Sequence, residues 1–366
     1  MRKTKVGVVG CGSISGLYIQ GCQKFDILEV AACADIDAAR AQAKAQEFHV
    51  PKACTTAELL ADPEIEIVLN LTVPAAHYPV AAAALAAGKN AHNEKPVAVT
   101  REQGRELLAA AKSRKLRLGA APDTFLGAGL QTCRKLVDDG WIGTPVGATA
   151  FMLGRGPERG HPDPEFFFKP GGGPLFDMGP YYLTALINLL GPIRAVSGMA
   201  RITFPERVVT SKPKYGTRIA VETPTHIVGV LEFANGAIGN LVMSFDCWRT
   251  NLPRIEVYGS DGTLGVPDPN TFGGPVLFAR GPDPFAEVPV SHAYREQFRA
   301  LGVADLAYAL RSGRAHRANG EMAYHVLDVM HAILDAAREG KQVRVQSTCE
   351  RPAPLPVGLR EGILDE

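Results

Sequence analysis

The chain is expected to fold as an α/β protein of two domains: an N-terminal doubly wound parallel sheet, then an α+β domain with a large, mostly antiparallel sheet. Three observations carry this expectation. The short apolar run KVGVVG (Lys5–Gly10) feeds a glycine-rich turn and then a helical pattern. Strand-like and helix-like segments alternate from there to Ala121. Beyond Gly127 the strands lengthen and follow one another, and Asn235-Gly236 between two of them is a type I′ hairpin signal. The boundary is set between residues 1–123 and 124–366.

Composition agrees with two domains. The 366 residues are 46% hydrophobic and 21% charged, enough apolar material for substantial cores. A net charge of +1 without a long basic run lacks the footprint of a nucleic-acid binder, so a small, weakly charged partner is expected. No run of eighteen apolar residues suggests a membrane span. The N-terminal MRKTKVGVVGCG is too short in apolar residues for a secretory core. The seven cysteines (Cys11, Cys22, Cys33, Cys54, Cys133, Cys247, Cys349) have no CxxC pairing, which fits reduced thiols in the cytoplasm and argues against structural zinc.

The first segments define a dinucleotide site. Gly10-Cys11-Gly12-Ser13-Ile14-Ser15-Gly16 joins a strand to a helix, the context a phosphate-binding turn requires. Ser15 stands where the third glycine of GxGxxG is usual and is small enough for close helix-to-strand packing. The next strand, Leu28–Ala34, ends at Asp35, placed to accept hydrogen bonds from ribose hydroxyls. It would repel the extra phosphate of NADP, so NAD is expected, although Arg40 nearby could soften that preference. Capping the helix that begins around Asp37 is the other reading of Asp35.

A strand at Ile65–Leu71, a helix at Ala75–Ala87, a strand at Asn90–Asn93, a helix at Thr100–Arg114 and a strand at Leu116–Ala121 continue the alternation. Ligands of such sheets sit at the carboxyl ends of the strands. That assigns Gly10, Gly12, Ser13, Ile14, Asp35, Thr72, Pro74, His77, Glu94 and Lys95 to the cofactor. Lys95 is held by the following Pro96, and its ammonium there can stabilise negative charge on a substrate oxygen. A salt bridge to Glu94 or simple solvation are its alternatives.

In the second half, a helix at Leu130–Asp138 precedes strands at Val146–Leu153, Ala195–Thr203, Thr225–Phe233, Ala237–Phe245 and Arg254–Tyr258. The segment Gly154–Gly173, rich in Gly and Pro but carrying His161, Asp163 and Phe166–Phe168, is expected to cover the site or to reach a neighbouring subunit. His325 and His331 fall on an amphipathic helix, Met322–Ala337, where packing is expected rather than metal binding. The apolar stretch GGGPLFDMGPYYLTALINLLGP (Gly171–Pro192) is read as one helix beginning near Pro174, with Asp177 and Tyr181 four apart on one side. Asp177 as an N-terminal cap and Tyr181 as a core aromatic are the alternatives there.

Three stretches together, GCGSIS (Gly10–Ser15), AALAAGKNAHNEKPVAVT (Ala83–Thr100) and GGGPLFDMGPYYLTALINLLG (Gly171–Gly191), resemble the Gfo/Idh/MocA oxidoreductases. The resemblance spans nearly the whole chain and implies a Rossmann domain followed by an open-faced sheet used for self-association, as a homodimer or homotetramer. It implies Lys95 as the catalytic lysine, Asp177 as the aspartate of the second block and Tyr181 as the acid/base, where many members have histidine and the glucose-fructose oxidoreductase branch has tyrosine. It also departs from many relatives at Pro122-Asp123-Thr124-Phe125. The expected activity is NAD-dependent oxidation of a secondary hydroxyl on a sugar or polyol, with Asp123, Arg155, His161 and Trp248 as candidate substrate contacts. An NAD-using glycoside hydrolase, a cofactor-recycling oxidoreductase and a non-catalytic dinucleotide-binding regulator are the other classes this resemblance leaves open.

Overall fold

A computed structural model describes residues 2–365. The first domain runs β1 (Thr4–Val9), α1 (Ser15–Gln23), β2 (Leu28–Ala34), α2 (Ala38–Glu47), β3 (Lys52–Cys54), α3 (Thr56–Ala61), β4 (Ile67–Asn70), α4 (Pro74–Ala86), β5 (Asn90–Asn93), α5 (Arg101–Ser113) and β6 (Leu118–Ala120). Its six strands lie in the order β3-β2-β1-β4-β5-β6, all parallel. The strand order reverses between β1 and β4, so the crevice for a ligand opens at their carboxyl ends. The edge strand β3 and the helix α3 lie outside the alternation read from the sequence. A capping box between Thr55 and Glu58 starts α3, and it is the local signal that this helix carries.

The second domain adds α6 (Ala128–Asp138), β7 (Pro145–Leu153), α7 (Gly173–Asp177), α8 (Gly179–Leu190), β8 (Ile193–Arg201), β9 (Glu206–Val208), β10 (Arg218–Ala220), β11 (His226–Phe233), β12 (Ile238–Ser244), β13 (Ile255–Gly259), β14 (Gly262–Val266), β15 (Val276–Arg280), β16 (Ala286–Val288), α9 (Leu301–Ser312), α10 (Gly320–Glu339) and β17 (Val343–Arg344). Nine strands form one sheet, β16-β15-β14-β13-β7-β12-β11-β8-β17, antiparallel except for the central β7–β12 pair. A separate ribbon pairs β9 with β10. One face of the large sheet is buried under α10, whose Ile333 fills the space left by Gly198 of β8 and Gly229 of β11. α9 packs on α1 and α10 on α5, so the end of the chain returns to the first domain.

Two local expectations need correction. The stretch after Gly173 is not one helix: α7 ends at Asp177 and α8 restarts at Gly179, with Met178 between them at φ −108°. Pro180 is the cause, since it has no N–H for the carbonyl of Phe176 and its ring crowds that position. Asp177 therefore closes a helix rather than capping the start of one. The β11–β12 hairpin exists, but its turn is not type I′. The Gly236 N–H bonds the Phe233 carbonyl and Gly236 alone takes positive φ (91°), while the Asn235 side chain accepts from Ala237 N–H.

The domains are joined tightly at the turn before α9. A Cβ on Gly21 of α1 would lie 1.6 Å from the carbonyl oxygen of Arg299, so only glycine lets the two meet. Gly21→Ala is expected to destabilise the fold by about 1–3 kcal/mol, the usual cost of overpacking. A urea denaturation midpoint that does not move would contradict this contact.

Candidate active site

A cleft of about 690 Å³ opens along the switch point between β1 and β4 and extends under the second domain. At its dinucleotide end, Gly10 sits at φ 100° with the Leu71 carbonyl carbon 2.7 Å from where a Cβ would stand, so the turn demands glycine. Gly12 faces open space within 4 Å, leaving room for a ligand to touch backbone. Ser15 is fully buried and its Oγ donates to the Gly12 carbonyl (2.7 Å), tightening the turn in place of the third glycine. α1 has no side-chain cap; its Ser15 N–H bonds the Gly12 carbonyl (3.2 Å), and the N–H groups of Gly16 and Leu17 remain available to an anion.

Asp35 lines the same end of the cleft. Its Oδ2 accepts the Cys11 N–H (2.7 Å) and its Oδ1 the Asp37 N–H (2.9 Å). The cap of α2 is Asp37, which accepts from Ala39 and Arg40. Arg40 also lines the cleft, 3.8 Å from Asp35. The open Gly12, the uncapped helix and this carboxylate fit the phosphates and ribose of a dinucleotide.

At the other end three side chains meet. Lys95, just past β5, donates from Nζ to Asp177 Oδ1 (2.7 Å) and to the Asp177 carbonyl (2.6 Å), which joins the first domain to the last turn of α7. Burial opposes the Lys95 charge most strongly, but Asp177, Tyr181 and Glu94 together outweigh it and hold the ammonium above the usual lysine value. Tyr181, one turn along on α8, places its ring centroid 5.3 Å from Lys95 Nζ. Burial raises its phenol above the ordinary tyrosine value; Lys95 and Arg299 pull it down, while Glu94 and Asp177 push it up. Glu94 does not pair with the lysine ammonium: it accepts from the Tyr18 hydroxyl (2.7 Å) and the Lys95 N–H (2.8 Å).

The Gly154–Gly173 segment is folded, with 3₁₀ turns at Pro157–Arg159 and Glu165–Phe168. Buried Arg207 anchors it by bonding Glu158 (2.9 Å) and Asp246. His161 packs edge-on against Phe166 and Phe167 (centroids 5.5 and 5.2 Å), and all three line the cleft. Within the chain, this segment covers the site.

Of the residues assigned from sequence, Gly10, Gly12, Ser13, Ile14, Asp35, Thr72, Pro74, Glu94, Lys95, His161, Asp177 and Tyr181 all line this one cleft. Four do not. His77 is buried behind it, with ring nitrogens 2.6 Å from the Pro96 carbonyl and 2.9 Å from the Thr72 carbonyl, and it braces two of the lining loops. Asp123 is fully buried and accepts from the N–H groups of Ala300 and Gly302, fixing the turn before α9. Arg155 lies 4.4 Å over the ring of Trp248, which is 68% exposed, and that stack is outside the cleft. His325 is buried and bonds Ile193 N–H and Ser347, and His331 bonds the Val99 carbonyl, so both belong to packing. Arg299 and Asn270 line the cleft and were not found from sequence, because both sit in irregular chain with no motif around them.

A parallel sheet with this turn, and a lysine, aspartate and tyrosine under a second sheet domain, define a dinucleotide-binding oxidoreductase architecture. Residues 4–121 match the oxidoreductase family with an NAD-binding Rossmann fold, and residues 130–265 match the GFO/IDH/MocA C-terminal domain. The chain belongs to the Gfo/Idh/MocA family. It is 28% identical to the inositol 2-dehydrogenase of Agrobacterium fabrum over 72% of this chain and 74% of that one. It is 23% identical to the scyllo-inositol 2-dehydrogenase (NADP(+)) of Bacillus subtilis over 93% and 96%. Among solved structures, levoglucosan dehydrogenase in complex with NADH superposes with a TM-score of 0.83 at 20% identity, covering 94% of this chain and all of that one (100%).

Proposed function

We propose that this protein is an NAD-dependent dehydrogenase that oxidises a secondary hydroxyl of a sugar or polyol. The observation that carries the reading is that one continuous cleft holds both Asp35 at the dinucleotide end and the Lys95, Asp177 and Tyr181 group at the other. The sugar and polyol dehydrogenases among its relatives support the substrate class. When bound, NAD supplies the acceptor for the hydride that leaves the carbinol carbon. Lys95 donates a hydrogen bond to the substrate oxygen and steadies the charge that grows on it. Tyr181, as its phenolate, takes the hydroxyl proton as the carbonyl forms and is left as the neutral phenol. Asp177 holds the lysine ammonium in place (2.7 Å). Asp35 favours NAD over NADP, with Arg40 at its side limiting how strict that preference is.

Self-association through the open face of the large sheet is part of the same reading. Met199, Val228, Val242 and Phe151 are register neighbours on β8, β11, β12 and β7, forming an apolar row, and Met199 is 79% exposed. A row of this kind asks for a covering surface, and a second copy supplies one of matching character.

Offered NAD and a panel of aldoses, inositols and anhydrosugars, the protein is expected to form NADH with one class. Tyr181→Phe and Lys95→Met should each lower kcat by about 100-fold or more while NAD binding is retained. No NADH with any sugar, despite tight NAD binding, would overturn the dehydrogenase reading. Val228→Glu should convert the native assembly to monomers in sedimentation velocity; a native protein that already sediments as a monomer would refute the association.

A further inference from the structure

Arg299 lines the cleft beside Tyr181 yet has no role in the reading above. It is 6% exposed, and its guanidinium carbon lies 5.7 Å from the Tyr181 ring centroid. Nη2 donates to Asn270 Oδ1 (2.9 Å), while Nε and Nη1 have no partner among the described residues. A buried guanidinium bonded only to a neutral amide is uncommon, because arginine is seldom buried without a paired charge. Its placement is also strongly constrained. Its carbonyl oxygen rests on Gly21, the next residue, Ala300, is held at φ 88°, and Asp123 anchors the turn through Ala300 and Gly302 N–H groups (2.9 and 3.1 Å). Such a left-handed alanine has a steric cost that the surroundings must impose.

The two cations near the tyrosine differ. The Lys95 ammonium is in contact with Asp177 (2.7 Å), so part of its field at Tyr181 is cancelled at the source. Arg299 has no such contact among the described residues. The groups facing the phenol are Lys95 and Glu94 from the loop after β5, Asp177 from α7, and Arg299 from the turn before α9. Tyr18, Glu94 and Asp123 face Arg299 in turn.

We propose that Arg299 is a positioning residue that favours the charged, proton-accepting form of Tyr181, as a second buried cation free of the carboxylate that engages Lys95. This rests on the reading of Tyr181 as the proton acceptor. Without Arg299, burial, Glu94 and Asp177 would oppose the phenolate with Lys95 alone to offset them, and the tyrosine would ionise at higher pH.

The test places 3,5-difluorotyrosine, an intrinsically more acidic phenol, at position 181 and follows its ionisation by fluorine NMR in the protein without nucleotide or sugar. Arg299→Met should raise the midpoint by about one pH unit, the scale of one screened charge at this range. Arg299→Lys, which keeps the charge, should leave it near the native value. If Arg299→Met fails to fold, Arg299→Gln removes the same charge and is read instead. A midpoint unchanged by loss of the charge would overturn the proposal, as would a lysine variant shifted as far as the methionine one. Because no substrate is involved, a shifted midpoint in a protein without dehydrogenase activity would sink the proposed reaction alone. An unshifted midpoint in an active dehydrogenase would sink only the role of Arg299.

Discussion

The ion pair between Lys95 and Asp177 is the contact on which the site depends, because its partners come from different domains. Lys95 leaves the parallel sheet at the carboxyl end of β5; Asp177 ends the short α7 of the second domain. Their 2.7 Å contact joins the two domains at the cleft that Tyr181 also lines. Removing either partner leaves the other charge in a largely enclosed cleft, and the expense of an unpaired charge there exceeds what an exposed pair would lose.

The helix break at Met178 serves this geometry. In one unbroken helix, Asp177 and Tyr181 would sit one above the other on a single face. With α7 ending at Asp177, both the carboxylate and the backbone carbonyl of that residue are free to receive the lysine, and Tyr181 opens the next helix beside them. Pro180 thus contributes to the site through what it prevents. Covering segments complete the enclosure: the Gly154–Gly173 loop, stapled by buried Arg207, adds an aromatic wall of His161, Phe166 and Phe167.

Much of the first domain was legible because its signals are local: a strand, a turn that needs glycine at Gly10, and a carboxylate at Asp35 ending the second strand. The Lys95, Asp177 and Tyr181 group was legible because each lies in a compact motif. What escaped the sequence depends on contacts between distant segments. Asp123 looks like a polar residue at a strand end, and only its N–H partners at Ala300 and Gly302 show that it shapes a turn. His77 follows a binding loop in sequence but turns inward to brace it. Arg299 carries no motif at all, and its place is set by Gly21 and by a left-handed Ala300 that no pattern announces. The parallel β7–β12 pair at the centre of an otherwise antiparallel sheet is likewise a product of topology, since neither strand is adjacent to the other in the chain.

The most direct test of the central claim is a double-mutant cycle on kcat/KM for NADH formation, using Lys95→Met, Asp177→Asn and the combined variant. If the pair acts as a unit, each single change removes about as much activity as both together, so the double variant falls no more than a few-fold below either. If the two losses multiply, the residues work independently and the interdomain ion pair is not the constraint described here.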